Sequence, residues 1–182
     1  LTSQLQNIRV GDELLVNSKA TGTLVLDNLL PGRNLYLLGT GTGLAPFLSI
    51  IKDPAIYERF ERVILAHGCR NVSELAYQDA ITRELPAHEY LGDEIRGKLI
   101  YYPTVTREAF RNTGRLTDLL HSDKLPADVG LPPIDPDNDR FMLCGSPSML
   151  KDMGTLLNGR GFQESRHGKA AHYVIERAFV ES

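Results

Sequence analysis

From Arg33 onward the chain alternates short, mostly apolar runs with glycine-bearing loops and helix-like stretches, and this rhythm constrains the fold more than any other feature. Leu35-Tyr36-Leu37-Leu38 is a continuous apolar run stopped by glycine, as expected of a strand buried on both faces. Residues 62–66 (RVILA), 98–105, 140–144 (RFMLC) and 171–177 (AHYVIER) repeat the pattern. Between them the spacing predicts helices over 45–51, 73–85, 116–121 and 148–158, the second with Ser73 as its N-cap. Residues 126–139, with Pro132-Pro133-Ile134-Asp135-Pro136, read as an exposed loop that is neither helix nor central strand. Such alternation predicts an α/β fold with a doubly wound, five-stranded parallel sheet. Ligands of these sheets lie at the carboxyl ends of the strands, near the point where the strand order reverses.

The first 31 residues follow another pattern. Residues 10–17 and 21–26 (TGTLVL) have β character, and Gly11 and Gly22 mark turns. Two short strands are too few for a domain. Residues 1–31 are therefore expected to be the tail of a β-domain, or a hairpin packed on a second domain over 32–182.

With 42% apolar and 24% charged residues, the chain can bury a real core. A net charge of −3 argues against a nucleic-acid or polybasic membrane binder. No run approaches the length of a bilayer span, and residues 1–10 lack the basic start and apolar core of a signal peptide. Cys69 and Cys144 are too far apart for a metal-ligand cluster and too few for a disulfide framework. The expectation is a cytoplasmic protein without a metal.

Four loops carry the chemistry. The first is Gly39-Thr40-Gly41-Thr42-Gly43, followed by Leu44-Ala45-Pro46. Alternate glycines let backbone amides approach a pyrophosphate closely at a helix start. Pro46 stands where the dinucleotide fingerprint GxGxxG has its last glycine, and no Gly-Lys-Ser/Thr of a P-loop follows. The second loop, His67-Gly68-Cys69-Arg70-Asn71, offers an arginine where an NAD-specific domain would place a carboxylate. The third brings Thr106-Arg107-Glu108 and then Gly114-Arg115. Arginines after adjacent strands, with a threonine hydroxyl, suit a bidentate clamp on a 2′-phosphate. The alternative is a surface pairing of Arg107 with Glu108 or Glu84. In the fourth loop, Cys144-Gly145-Ser146-Pro147-Ser148-Met149, Ser146 is a good N-cap and Pro147 a good first-turn residue. On chemistry alone Cys144 is either a buried strand-end thiol or a nucleophile ahead of a helix.

These loops together resemble the pyridine-nucleotide domain of the ferredoxin–NADP⁺ reductase family, in its bacterial branch. Gly41-Thr42-Gly43-Leu44-Ala45-Pro46 and Cys144-Gly145-Ser146-Pro147-Ser148-Met149 match specific family motifs. The resemblance implies that Cys144 shapes the hydride-transfer site beside the nicotinamide and is no nucleophile. It implies that Arg70, Thr106, Arg107 and Arg115 hold the 2′-phosphate of NADP(H). It further implies that Glu176 is a carboxylate near the flavin, serving proton and electron transfer. Ala178 takes the place of the aromatic residue that covers the flavin in plant-type members, and Phe179 lies along the FAD. Leu1-Thr2-Ser3 resembles a stretch that contacts the FAD pyrophosphate. The family's Arg-x-Tyr-Ser flavin motif is not in these residues. The early strands are thus expected to be the remnant of an antiparallel FAD-binding barrel, whose earlier part would precede Leu1, and the chain alone is expected to hold FAD weakly and to be inactive.

The implied function is transfer of a hydride between NADP(H) and FAD, and of electrons onward to ferredoxin or flavodoxin, by a monomer. Two alternatives are a reductase component of an oxygenase or haem-protein chain, and a non-catalytic NADP(H)-binding module.

Overall fold

A computed structural model describes residues 7–16, 18, 22–166 and 168–177. Its centre is a five-stranded, wholly parallel sheet in the order β3-β2-β1-β4-β5. The strands are β1 (Asn34–Thr40), β2 (Arg62–Cys69), β3 (Leu99–Val105), β4 (Asp139–Cys144) and β5 (Tyr173–Glu176). The order reverses beside β1, between β1 and β4, so the loops after these two strands face each other across the switch point.

Side chains of a strand alternate between faces, and with a core on each face the middle of these strands is mostly apolar on both. Tyr36, Leu38, Ile64, Ala66, Phe141 and Leu143 enter one core with the helices Leu116–His121, Lys124–Asp128 and Pro147–Gly159. Leu35, Leu37, Val63, Leu65, Met142 and Cys144 enter the other, against Ala45–Ile50, Pro54–Arg59 and Gly92–Lys98. Phe141 stacks on Tyr36 at 4.9 Å between ring centroids and meets Phe162 edge-on at 5.1 Å. Truncating a fully buried residue such as Leu37 to alanine would cost about 2–5 kcal/mol.

Several expectations need correction. The helix expected over 73–85 is broken. Residues Val72–Glu74 form a single 3₁₀ turn, Tyr77 takes a left-handed φ of 62°, and Ala80–Glu84 winds as a π-helix. Ser73 lies inside the 3₁₀ turn and caps nothing. The loop expected over 126–139 is shorter at both ends: Asp139 is a buried residue of β4, and Pro126 sits in the first turn of Lys124–Asp128. There a missing N–H costs no intrahelical bond. Two short helices, Pro54–Arg59 and Gly92–Lys98, were not anticipated; Asp53 caps the first by accepting the Ala55 amide at 2.9 Å.

The described part of residues 7–30 contains no strand. Gly11 and Gly22 do adopt positive φ (103° and 142°), as turn positions should. Val10 and Leu15 are fully exposed, and no neighbouring backbone among the described residues offers a ladder. The segment is instead stitched to the approach to β5. Leu30 donates its amide to Ala171 at 2.9 Å, and Ala171 donates to Asn28 at 3.1 Å. Arg59 binds the Leu26 carbonyl at 2.6 Å and also that of Leu29, while buried Arg140 binds those of Leu30 and Pro31.

Candidate functional site

At the carboxyl edge of the sheet lies a groove of about 730 Å³. Thr40, Gly41 and Thr42 line it from the loop after β1, and Gly145, Ser146 and Met149 from the loop after β4. Arg70, Thr106, Arg107 and Arg115 line it from the loops after β2 and β3. The four loops singled out in the sequence therefore meet in one place.

Close backbone approach explains the glycines. A Cβ on Gly43 would collide with the Cys144 carbonyl, and one on Gly145 with the Thr40 hydroxyl. Gly41 has a positive φ of 54°. The two loops are joined by the Ser146 amide, which donates to Thr40 Oγ1 at 3.0 Å. Ser146 caps Pro147–Gly159 as expected, its hydroxyl accepting the Met149 amide at 3.3 Å. Gly39, Gly43 and Cys144 are buried behind the groove. Ala45 and Pro46 open the helix after the glycine loop, and Pro147 opens the helix after β4.

The arginines differ in their partners. Arg70 pairs with Glu74, Nε to Oε1 at 3.3 Å, while its amide donates to Oε2 at 2.9 Å. That amide bond, more than the guanidinium, holds the Glu74 carboxyl below its ordinary pKa. Arg107 and Arg115 are exposed and have no carboxylate at ion-pair distance among the described residues. The surface pairing of Arg107 with Glu108 or Glu84 does not form. Glu108 instead accepts the Val72 amide at 2.5 Å. The amides of Thr106 and Arg107 both bind the Arg70 carbonyl, at 3.3 and 2.9 Å, which ties the second and third loops together. Three guanidinium groups, two without an acidic partner, suit a phosphate dianion.

Cys144 is 2% exposed, and burial, with Glu176 adding to it, pushes its thiol pKa up. Such a thiol stays protonated at neutral pH and is a poor nucleophile. In register it lies beside Gly39 on one side and Glu176 on the other. Glu176 is half-buried, its Oε2 accepting the Thr23 amide at 2.8 Å and the Thr23 hydroxyl at 2.5 Å. Leu1, Thr2, Ser3, Ala178 and Phe179 lie outside the described residues. Among those described, no helix is long and apolar enough to cross a membrane, and no group of three His, Cys, Asp or Glu could hold a metal ion.

Two residues here were not singled out from the sequence. Glu74 was legible as an acid four positions after Arg70. His67, one histidine within its strand, carries no such mark, yet it is fully buried and touches Gly41.

Comparison with known proteins agrees with this geometry. Residues 37–154 match the family described as "Oxidoreductase NAD-binding domain". The chain is 62% identical over its whole length to the ferredoxin–NADP reductase of Pseudomonas aeruginosa, and covers 70% of that protein. It is 61% identical to the ferredoxin–NADP reductase of Azotobacter vinelandii, again over all of this chain and 70% of the relative. A crystal structure of a ferredoxin NADP⁺ reductase from Neisseria gonorrhoeae with bound FAD and NADP superposes with a TM-score of 0.82 at 29% identity, covering 98% of this chain and 69% of that one. The sheet, the four loops and these relatives lead to one conclusion: the chain belongs to the ferredoxin–NADP reductase family.

Proposed function

We propose that the chain carries the NADP(H) side of a flavin-dependent reductase that exchanges electrons between NADP(H) and ferredoxin or flavodoxin. One observation carries the reading: a single groove at the switch point gathers the glycine loop, three arginines and the Cys144 loop. The 2′-phosphate is held by Arg70, Arg107 and Arg115 with the Thr106 hydroxyl. The diphosphate rests on the backbone amides of Gly41, Thr42 and Gly43, in a turn that Gly39 and Gly43 let pack directly on Phe47 and the Cys144 carbonyl. Gly145, Ser146, Pro147 and Met149 shape the wall for the nicotinamide, with the neutral Cys144 thiol behind it.

FAD, when bound, supplies the step from two-electron to one-electron chemistry. The fit on its side rests on Glu176. Thr23 fixes this carboxylate at the strand end next to Cys144, yet it stays half-exposed, as a group that exchanges protons must. Ala178, Phe179 and Leu1-Thr2-Ser3 are assigned to the flavin by resemblance to the family. The enzyme acts as a monomer in the cytoplasm, where two free thiols, Cys69 and Cys144, are kept reduced.

The test is NADPH-driven reduction of ferredoxin and of flavodoxin by the flavin-loaded enzyme. Reduction of either carrier with NADPH, and slow reduction with NADH, is the expected result. NADPH binding with no electron transfer to either carrier, despite bound flavin, would leave a nucleotide-binding module instead.

A further inference from the structure

His67 lies in β2 opposite Gly39 and has no exposed surface. Its Nε2 is 3.1 Å from the Gly41 carbonyl oxygen and 3.3 Å from Cys69 Sγ. A carbonyl oxygen can only accept, so Nε2 carries the proton and donates to Gly41. The Cys69 thiol donates to the Glu74 carbonyl at 3.4 Å, which leaves a sulfur lone pair for the ring. Nδ1 is buried and has no partner among the described residues. A second proton there would have no acceptor, and burial holds the His67 pKa below its ordinary value. His67 is therefore a neutral, singly oriented donor beneath the glycine loop.

The Gly41–Thr42 peptide is trans, so its C=O and N–H point in opposite directions. Drawing the Gly41 carbonyl inward to His67 turns the Thr42 N–H outward, and Thr42 lines the groove. The left-handed φ of Gly41 allows the chain to make this reversal. A flip of the same peptide would set a carbonyl oxygen where an anion needs an amide.

We propose that His67 is a positioning residue for NADP(H): it locks the Gly41–Thr42 peptide so that the Thr42 amide faces the diphosphate before the nucleotide arrives. The proposal rests on reading the groove as the NADP(H) site. His67 acts through the loop, touching neither the nucleotide nor the three arginines. Its effect therefore falls on the diphosphate and spares the 2′-phosphate.

The experiment is calorimetric titration of the flavin-loaded enzyme with NADP⁺ and with 2′-AMP, which has a 2′-phosphate and no diphosphate. The variants are His67→Leu, His67→Asn and His67→Gln; a glutamine amide reaches the place of Nε2, and an asparagine amide reaches only that of Nδ1. For Leu and Asn, NADP⁺ affinity is expected to fall about ten-fold while 2′-AMP stays within about two-fold of wild type. Glutamine is expected to restore most of the loss, and the Asn–Gln comparison stands even if the leucine variant folds poorly. Equal losses for the two ligands, or no loss of NADP⁺ affinity in the asparagine variant, would overturn the role of His67. A wild-type enzyme that binds 2′-AMP no better than 5′-AMP would instead overturn the reading of the groove, and the proposal with it.

Discussion

The Thr40 hydroxyl accepts the Ser146 amide at 3.0 Å, and by this bond the loop after β1 is fastened to the loop after β4 across the switch point. Replacing Thr40 with valine keeps the shape and removes the acceptor. Stability should fall by about 0.5–1.5 kcal/mol in urea titration. NADP⁺ affinity should fall as well, because both walls of the groove lose their common anchor. Unchanged NADP⁺ affinity in Thr40→Val would separate the two loops functionally.

Close backbone contact makes Gly43→Ala and Gly145→Ala more damaging than their size suggests. Each new methyl meets fixed atoms of the opposite loop, the Cys144 carbonyl or Thr40. A loss of about 1–3 kcal/mol is expected for each, together with weakened nucleotide binding. Gly97 is the control: it lies in the helix Gly92–Lys98, and a Cβ there meets nothing within 4 Å. Gly97→Ala should gain about 0.5–1 kcal/mol from helix propensity. Thermal melts of the three variants decide the matter.

The buried imidazole of His67 gives stability a pH dependence with a definite sign. Its folded pKa is depressed below the ordinary 6.5, mainly by desolvation. As pH falls through that value the unfolded chain takes up the proton first, so stability present above about pH 6.5 is progressively lost below it. His172 is shifted the same way and adds to the slope. Urea midpoints measured from about pH 7 to pH 5.5 should fall for the wild type and fall less for His67→Gln. An equal slope in both would show that His67 titrates as an ordinary exposed histidine.

Burial raises the thiol pKa of both Cys69 and Cys144. Neither should react readily with iodoacetamide in the native protein at about pH 8, and both should react once it is unfolded in urea. Mass spectrometry of the labelled peptides reads the outcome. Rapid native labelling of Cys144 would restore the nucleophile reading.

The strands and the groove were legible because their signals are dense. A parallel strand buried on both faces needs an unbroken apolar run, and a loop that passes within contact of another backbone needs glycine. Both features leave marks that do not depend on distant partners. The stretch over 73–85 misled because its helical spacing competes with tertiary ties. Glu74 folds back onto the Arg70 amide and Cys69 donates to the Glu74 carbonyl, so the chain turns at Tyr77 before a helix can start. The β character of 10–17 and 21–26 likewise states only a propensity. A strand needs neighbouring backbone to pair with, and the described residues offer these segments none. His67 was hidden for a third reason, since one histidine inside a strand gives no sign of which carbonyl it meets.

Arg107 and Arg115 are the two groove arginines with no acidic partner among the described residues, so the choice of NADP(H) over NAD(H) falls to them. Calorimetry should compare NADP⁺ with NAD⁺ in the flavin-loaded wild type and in the Arg107→Ala/Arg115→Ala double variant. Each lost charge-assisted contact to the 2′-phosphate is worth about 1.5–3 kcal/mol, roughly ten-fold or more in affinity. A strong NADP⁺ preference is expected in the wild type and its collapse in the double variant, with NAD⁺ affinity unchanged. A preference that survives the loss of both arginines would contradict that role.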